Sequence, residues 1–226
     1  MARSPRIEFP GALYHITCRG NEKQAIFRDT RDREGFLGRL ADEVSGHRWL
    51  CHAFCLMDNH YHLLLETPLV NLAHGMQRLN SAYAQWFNLR HERVGHLFQG
   101  RYHSVIVERE SYLLELSRYI VLNPVRAGIV QAVEHWPWSS YRATAGLHDP
   151  PAFLTLEWLW SQFAAEPRVA QEAYRRFVAA GLDARPWDKL VDRRWLGSKG
   201  FRRRMQKLSR SRRVSEPGVR YTATAA

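Results

Sequence analysis

Apolar and polar residues alternate along residues 8–20, where Tyr14-His15-Ile16-Thr17-Cys18 reads as a strand closed by the turn formers Gly20-Asn21. The period then lengthens. Phe36, Leu37, Leu40 and Val44 recur at helical spacing between Asp32 and Val44, with Gly46 just past the end. Trp49–Leu56 and His60–Glu66 suit two strands, with Met57-Asp58-Asn59 as the hairpin turn between them. A long helix is predicted from Leu72 to His91. Asn71 is its N-cap, and Leu72, Met76, Leu79, Tyr83 and Phe87 mark one apolar stripe. His103–Val107 reads as a further strand, and Ser111 as the cap of a helix running to Leu122.

The first six of these elements follow the order of an α+β ferredoxin-like sandwich, an antiparallel sheet with helices on one face. The character changes after Asp149-Pro150-Pro151. Two helices are expected around Leu156–Phe163 and Val169–Ala179, and from Arg185 to Arg220 basic residues far outnumber acidic ones. The reading is a domain over 1–148, a small helical, basic C-terminal extension over 149–214, and a disordered tail over 215–226.

Charge sharpens this picture. The chain has 226 residues, 45% of them hydrophobic, and a net charge of +11, an excess that points to a phosphate-rich partner. Three cysteines, at 18, 51 and 55, argue against a disulfide framework and fit a reducing compartment. No apolar run is long enough for a bilayer and no secretory pattern opens the chain, so a cytoplasmic, nucleoid-associated protein with no membrane partner is expected.

Two stretches carry candidate chemistry. In Asp58-Asn59-His60-Tyr61-His62-Leu63 the two histidines stand at i and i+2 of a strand, so both imidazoles share one face while Tyr61 points away. Such a pair is a half-site for a divalent metal, or two hydrogen-bonded neighbours. Cys51 and Cys55 are read as sharing one strand face. Their spacing is not that of a zinc knuckle, and buried thiols are commonly plain core residues. The second stretch runs from Ser111 to Pro124. Tyr112 and Tyr119 are seven apart on one helix face, and Asn123 is four past Tyr119, within reach of it if the helix continues. Asn123-Pro124 reads equally as the start of another helix. Spacing alone does not choose a nucleophile.

In combination the residues resemble the one-tyrosine HUH transposases, and within them the REP-associated tyrosine transposases. The matching pieces are Gly11-Ala12-Leu13-Tyr14-His15-Ile16, Met57-Asp58-Asn59-His60-Tyr61-His62-Leu63-Leu64, Val94–Tyr102, Arg118-Tyr119-Ile120-Val121-Leu122-Asn123-Pro124-Val125 and Trp136-Pro137-Trp138-Ser139-Ser140-Tyr141. They stand in the family's order over about residues 5–145. The resemblance implies that Tyr119 is the nucleophile and that His60, His62 and Asn123 hold a divalent metal, Mg²⁺ or Mn²⁺. Asn123 departs from the Gln often found there.

It also implies cleavage and joining of single-stranded DNA folded into hairpins of the repetitive extragenic palindrome type, through a covalent 5′-phosphotyrosine. The enzyme would be a monomer or a homodimer. Arg19, Arg101, Arg118 and Arg126 are candidate phosphate contacts because they flank these motifs in sequence, and Tyr102 and His103 are candidate stacking residues. Trp136 and Trp138 could stack on bases or sit in the core. Arg202, Arg203, Arg204, Arg212 and Arg213 would add salt-sensitive affinity. The rival readings are another HUH enzyme, a replication initiator or relaxase, and a basic nucleic-acid-binding protein without catalysis. The absence of a P-loop speaks against the first, and competent residues at all four catalytic positions speak against the second.

Overall fold

Strand β3 (His60–Thr67) is apolar on both faces because it is covered on both. It pairs antiparallel with β1 (Ala12–Arg19) on one side and β2 (Leu50–Leu56) on the other. β1 pairs in turn with β4 (His103–Val107), also antiparallel. Two short C-terminal strands, β5 (Leu190–Val191) and β6 (Trp195–Leu196), complete a six-stranded sheet in the order β2-β3-β1-β4-β6-β5. This computed structural model describes residues 7–183, 186–191 and 194–214.

Helices α1 (Thr30–His47) and α2 (Leu72–Arg90) lie against one face of the sheet, as the ferredoxin-like reading requires. Phe36, Leu40 and Val44 of α1 and Met76, Leu79, Tyr83 and Phe87 of α2 meet Tyr14, Ile16, Tyr61, Leu63 and Leu65 in one core. Asp29 caps α1 by accepting from the Asp32 amide at 2.9 Å. Asn71 occupies the N-cap position of α2, yet its side chain is used elsewhere. Its Oδ1 accepts from Trp49 Nε1 at 2.7 Å and its Nδ2 donates to the His47 carbonyl.

The opposite face is not bare. α3 (Arg109–Val121) packs there through Leu113, Leu116, Ile120 and Val121. It starts before Ser111, with Glu108 at its N-cap, so Ser111 lies in the first turn rather than at the cap. After one residue the chain re-enters a helical turn, α4 (Asn123–Arg126), with Pro124 in its first turn. α5 (Tyr141–Thr144) adds Tyr141 to the same face, and residues beyond 148 help close it: α6 (Glu157–Ser161) and α7 (Pro167–Ala179) give it Leu159, Tyr174 and Val178. The last helix, α8 (Lys199–Val214), returns to the first face, where Phe201 and Met205 join that core. The C-terminal region therefore shares the sheet and both cores with residues before 148. Two-residue strands carry no readable period, which hid this from the sequence.

The expectation that Cys51 and Cys55 share a face is wrong. A β-bulge between Cys51 and Ala53 inserts one residue and inverts the alternation. Cys51 faces the α1/α2 core and Cys55 the α3 core, so the two thiols cannot meet at one metal.

Leu116 is fully buried in the α3 core, so Leu116→Ala should cost about 2–5 kcal/mol in urea denaturation. Val94 is 98% exposed, and Val94→Ser should stay within about 0.5 kcal/mol of the parent.

Candidate active site

The alternation of β3 decides what faces the α3 side. Tyr61, Leu63 and Leu65 point to the α1/α2 core, so His60 and His62 point the other way. On the neighbouring strand the same parity turns His15, Thr17 and Arg19 toward them, with Thr17 registered opposite His62 and Arg19 opposite His60. These side chains, with Tyr119 and Asn123 from the helical layer, line one cavity of about 480 Å³.

His62 is buried and fixed. A hydrogen bond of 3.0 Å joins its Nδ1 to Nε2 of His15, and the two rings stack with centroids 5.2 Å apart. Its Nε2 is buried and has no hydrogen-bond partner among the described residues. His60 is tied from its other end, its Nδ1 lying 2.7 Å from Asn59 Oδ1, which leaves its Nε2 for the cavity. The two rings are 5.0 Å apart. Burial holds all three imidazoles in the neutral form. It lowers His15 to about 3, helped by the charge of His103, and His60 to about 4, helped by Arg19. Burial and the neighbouring His15 and His60 take His62 well below its ordinary value. Two neutral imidazoles with nitrogens directed into a polar cavity are competent ligands for a divalent cation. The orphaned Nε2 of His62 is the observation that fits such an ion.

Tyr119 sits in the last turn of α3. Its ring meets His62 edge-on at 6.3 Å and His15 at 6.4 Å. Asn123 donates from Nδ2 back to the carbonyls of Tyr119, at 2.8 Å, and Ile120. That bond pins the amide one turn beyond Tyr119 and leaves its oxygen as the acceptor end. The two readings of Asn123-Pro124 thus coexist: the side chain is one helical turn from Tyr119, although a new helical turn begins there. Tyr112 does not line the cavity, which separates the two tyrosines that spacing could not.

Of the proposed DNA contacts, Arg19, Arg101 and His103 line the cavity. Arg118 is not available there. It donates to the Phe177 carbonyl, pairs with Glu115, and lies 4.1 Å over the Phe177 ring. Arg126 lies 4.8 Å over the Tyr119 ring while donating to the carbonyls of Gly181 and Leu182. Gly181 permits this crowding, since an added Cβ would lie 2.1 Å from Arg118 Cδ. Both arginines therefore clamp the C-terminal segment, a role their proximity to the motif in sequence conceals. Tyr102 is a core residue, 6% exposed, and borders a neighbouring groove instead. Trp136 is in the α3 core, donating from Nε1 to Leu56. Trp138, partly buried, packs against both cores. Arg203 and Arg204 are exposed on α8, Arg202 is half-buried, and the side chains of Arg212 and Arg213 lie outside the described residues.

Among the cavity residues not singled out from the sequence, His15 and Trp187 stand against the central side chains. His15 stood inside a motif, and the period of β1 would have placed it beside His62. Trp187, in a short helical turn at Pro186–Lys189, packs on His15 at 4.8 Å and on Tyr119 at 5.2 Å. No local pattern could place a residue so far along the chain over the site.

The family model for IS200-like transposases matches residues 9–123, which span every element of the sandwich and all four candidate catalytic positions. The chain belongs to the IS200-like transposase family. A relative from Haemophilus influenzae described as a REP-associated tyrosine transposase is 27% identical over 100 residues, covering 39% of this chain and 57% of its own. The chain thus spans little more than half the length of that relative. A solved structure of a REP-associated tyrosine transposase bound to a REP hairpin shares the fold, with a TM-score of 0.56 at 16% identity. The match covers 69% of this chain and 92% of that one. No helix among the described residues is long and apolar enough to cross a membrane.

The depressed values give a signed pH dependence for the metal-free protein. The unfolded chain takes up protons at His15 and His60 near pH 6.5, whereas the folded chain does so only near 3 and 4. Stability should therefore fall as pH drops from 7 to 5. Both imidazoles should keep neutral ¹⁵N shifts across that range, and a midpoint near 6.5 for either would contradict the burial described.

Proposed function

We propose that the protein is a metal-dependent strand transferase that cleaves and rejoins single-stranded DNA folded into hairpins of the repetitive extragenic palindrome type. The observation that carries this reading is the convergence of His60, His62, Tyr119 and Asn123 on one cavity bordered by Arg19 and Arg101. A tyrosine, two neutral imidazoles and two cations suit an attack on a phosphodiester, whose oxygens repel a nucleophile unless their charge is offset.

His60 Nε2, His62 Nε2 and the Asn123 amide oxygen would hold the ion, Mg²⁺ or Mn²⁺, which when bound neutralises charge on a phosphate oxygen. For His62 Nε2 to offer a lone pair, its proton must sit on Nδ1 and point to His15 Nε2. His15 therefore fixes the tautomer as well as the ring. Arg19 and Arg101 orient the phosphate. The Tyr119 oxygen then bonds to phosphorus as the bond to the 3′ oxygen breaks. Tyrosine gives up its proton, the departing 3′ oxygen gains one, and a 5′-phosphotyrosine remains. A second 3′-hydroxyl can reverse the step and join strands without an external energy source. Arg126, stacked on the tyrosine ring, restrains its swing.

A labelled single-stranded hairpin library incubated with Mg²⁺ or Mn²⁺ tests this. A protein-linked 5′ product should form, vanish with Tyr119→Phe while binding persists, and be lost or severely weakened with His60→Ala. Tight binding with no covalent product from any hairpin would favour the non-catalytic binder.

His15→Phe removes the partner of His62 Nδ1. It should weaken Mn²⁺ binding by about 10–100-fold in calorimetry while the protein stays folded. Unchanged Mn²⁺ affinity would leave His15 a core residue only.

A further inference from the structure

A second groove opens on the other side of the segment that walls the catalytic cavity. It has a volume of about 620 Å³ and lies between α2 and residues 95–102. The two spaces share Gly100 and Arg101 as a common wall. That wall is held rigidly across the end of the sheet, with Gln99 donating to the Arg19 carbonyl at 3.1 Å and Asn21 to that of Leu97 at 2.8 Å. A strand whose phosphate sits between Arg19 and Arg101 has a short path over this shared wall, which would bring the neighbouring nucleotide to the groove.

The groove has the chemistry of a base site. Its floor is apolar, from Met76, Ala84 and the partly buried ring of Phe98. Its α2 side carries two amides one turn apart, Gln77 and Asn80. Asn80 is oriented from below: the Tyr61 hydroxyl donates to its Oδ1 at 2.6 Å. With the oxygen engaged, Nδ2 is the donor end: one hydrogen is directed at Cys18 Sγ in a long 3.8 Å contact, and its second hydrogen is the one a ligand can take. An aromatic ring, an amide donor and an arginine at the rim match a purine, whose N7 edge accepts and whose face stacks. A volume of this size lies within the range of about 300–1,000 Å³ usual for small-ligand sites.

We propose that this groove takes one unpaired purine adjacent to the phosphodiester held at His60 and His62, and that Gln77 and Asn80 read its edge. The inference rests on the reading of the protein as a hairpin-DNA strand transferase. It gives β3 a double duty: its histidines serve the catalytic cavity on one face, and Tyr61 between them sets the reading amide on the other.

The test is a binding selection with the full chain. Hairpins with randomised single-stranded flanks are enriched by gel shift and sequenced, for the parent, Gln77→Ala and Asn80→Ala. Gln77 is exposed, so Gln77→Ala leaves the fold intact even if Asn80→Ala does not. The parent should enrich a purine at one flank position by about tenfold, and Gln77→Ala should flatten that position alone. A probe abasic there should bind parent and Gln77→Ala equally. Hairpin binding with no favoured flank position, a favoured pyrimidine, or a purine preference that survives Gln77→Ala would overturn the subsite and leave the proposed function standing. A parent that binds no hairpin would overturn both.

Discussion

The ring of His62 is held inside the protein by one hydrogen bond, to His15 on the adjacent strand, and the site depends on it. A buried imidazole with two unpaired nitrogens would be costly and free to rotate. With Nδ1 engaged, the other nitrogen is fixed in direction and left without a partner. The rest of the structure supplies the rigidity this requires. β1 and β2 flank β3 on both sides, and helices cover both faces of the sheet. Nearly every residue of β3 is therefore packed, and its alternation cannot slip without exposing one set of side chains and burying the other.

The tyrosine is positioned by different means. α3 rests on the sheet through apolar residues one turn apart, and Tyr119 projects from its half-buried side. Arg126 and Trp187 then bracket the ring, and the arginine's hydrogen bonds run to the segment at Gly181–Leu182 that leads toward Trp187. The C-terminal region is thus tied to Tyr119 by stacking and to the sheet through β6. Its basic helix α8 returns to the opposite face, where exposed Arg203 and Arg204 stand on the same side of the sheet as the groove along α2. Exposed arginines therefore stand on both sides of the sheet, Arg203 and Arg204 on one and Arg19 and Arg101 beside the cavity on the other.

Much of this was legible wherever a period ran over enough residues. β1, β3, α1 and α2 announce themselves by alternation or apolar stripe, and the His60–His62 pair follows from the period of two. Tyr119 could not be separated from Tyr112 by spacing, because both lie on one helix face; the structure separates them by what each faces. Arg118 and Arg126 illustrate the reverse. Closeness to a motif in sequence marked them as phosphate contacts, but their hydrogen bonds run to residues some 60 positions away, at Phe177 and at Gly181–Leu182, which no local pattern encodes. A single inserted residue in β2 inverted the cysteines, since a bulge leaves composition unchanged while reversing every later side chain. Two-residue strands and the placement of Trp187 were beyond reach for the same reason: they are fixed by tertiary contacts alone.

The proposed chemistry requires that Tyr119, among nine tyrosines, form the covalent bond to DNA. Peptide mapping by mass spectrometry tests it most directly, after reaction with a hairpin substrate, trapping and nuclease digestion. A nucleotide adduct should be confined to the peptide that carries Tyr119. An adduct on the Tyr112 side chain or any other residue, or a cleaved hairpin with no adduct, would contradict it.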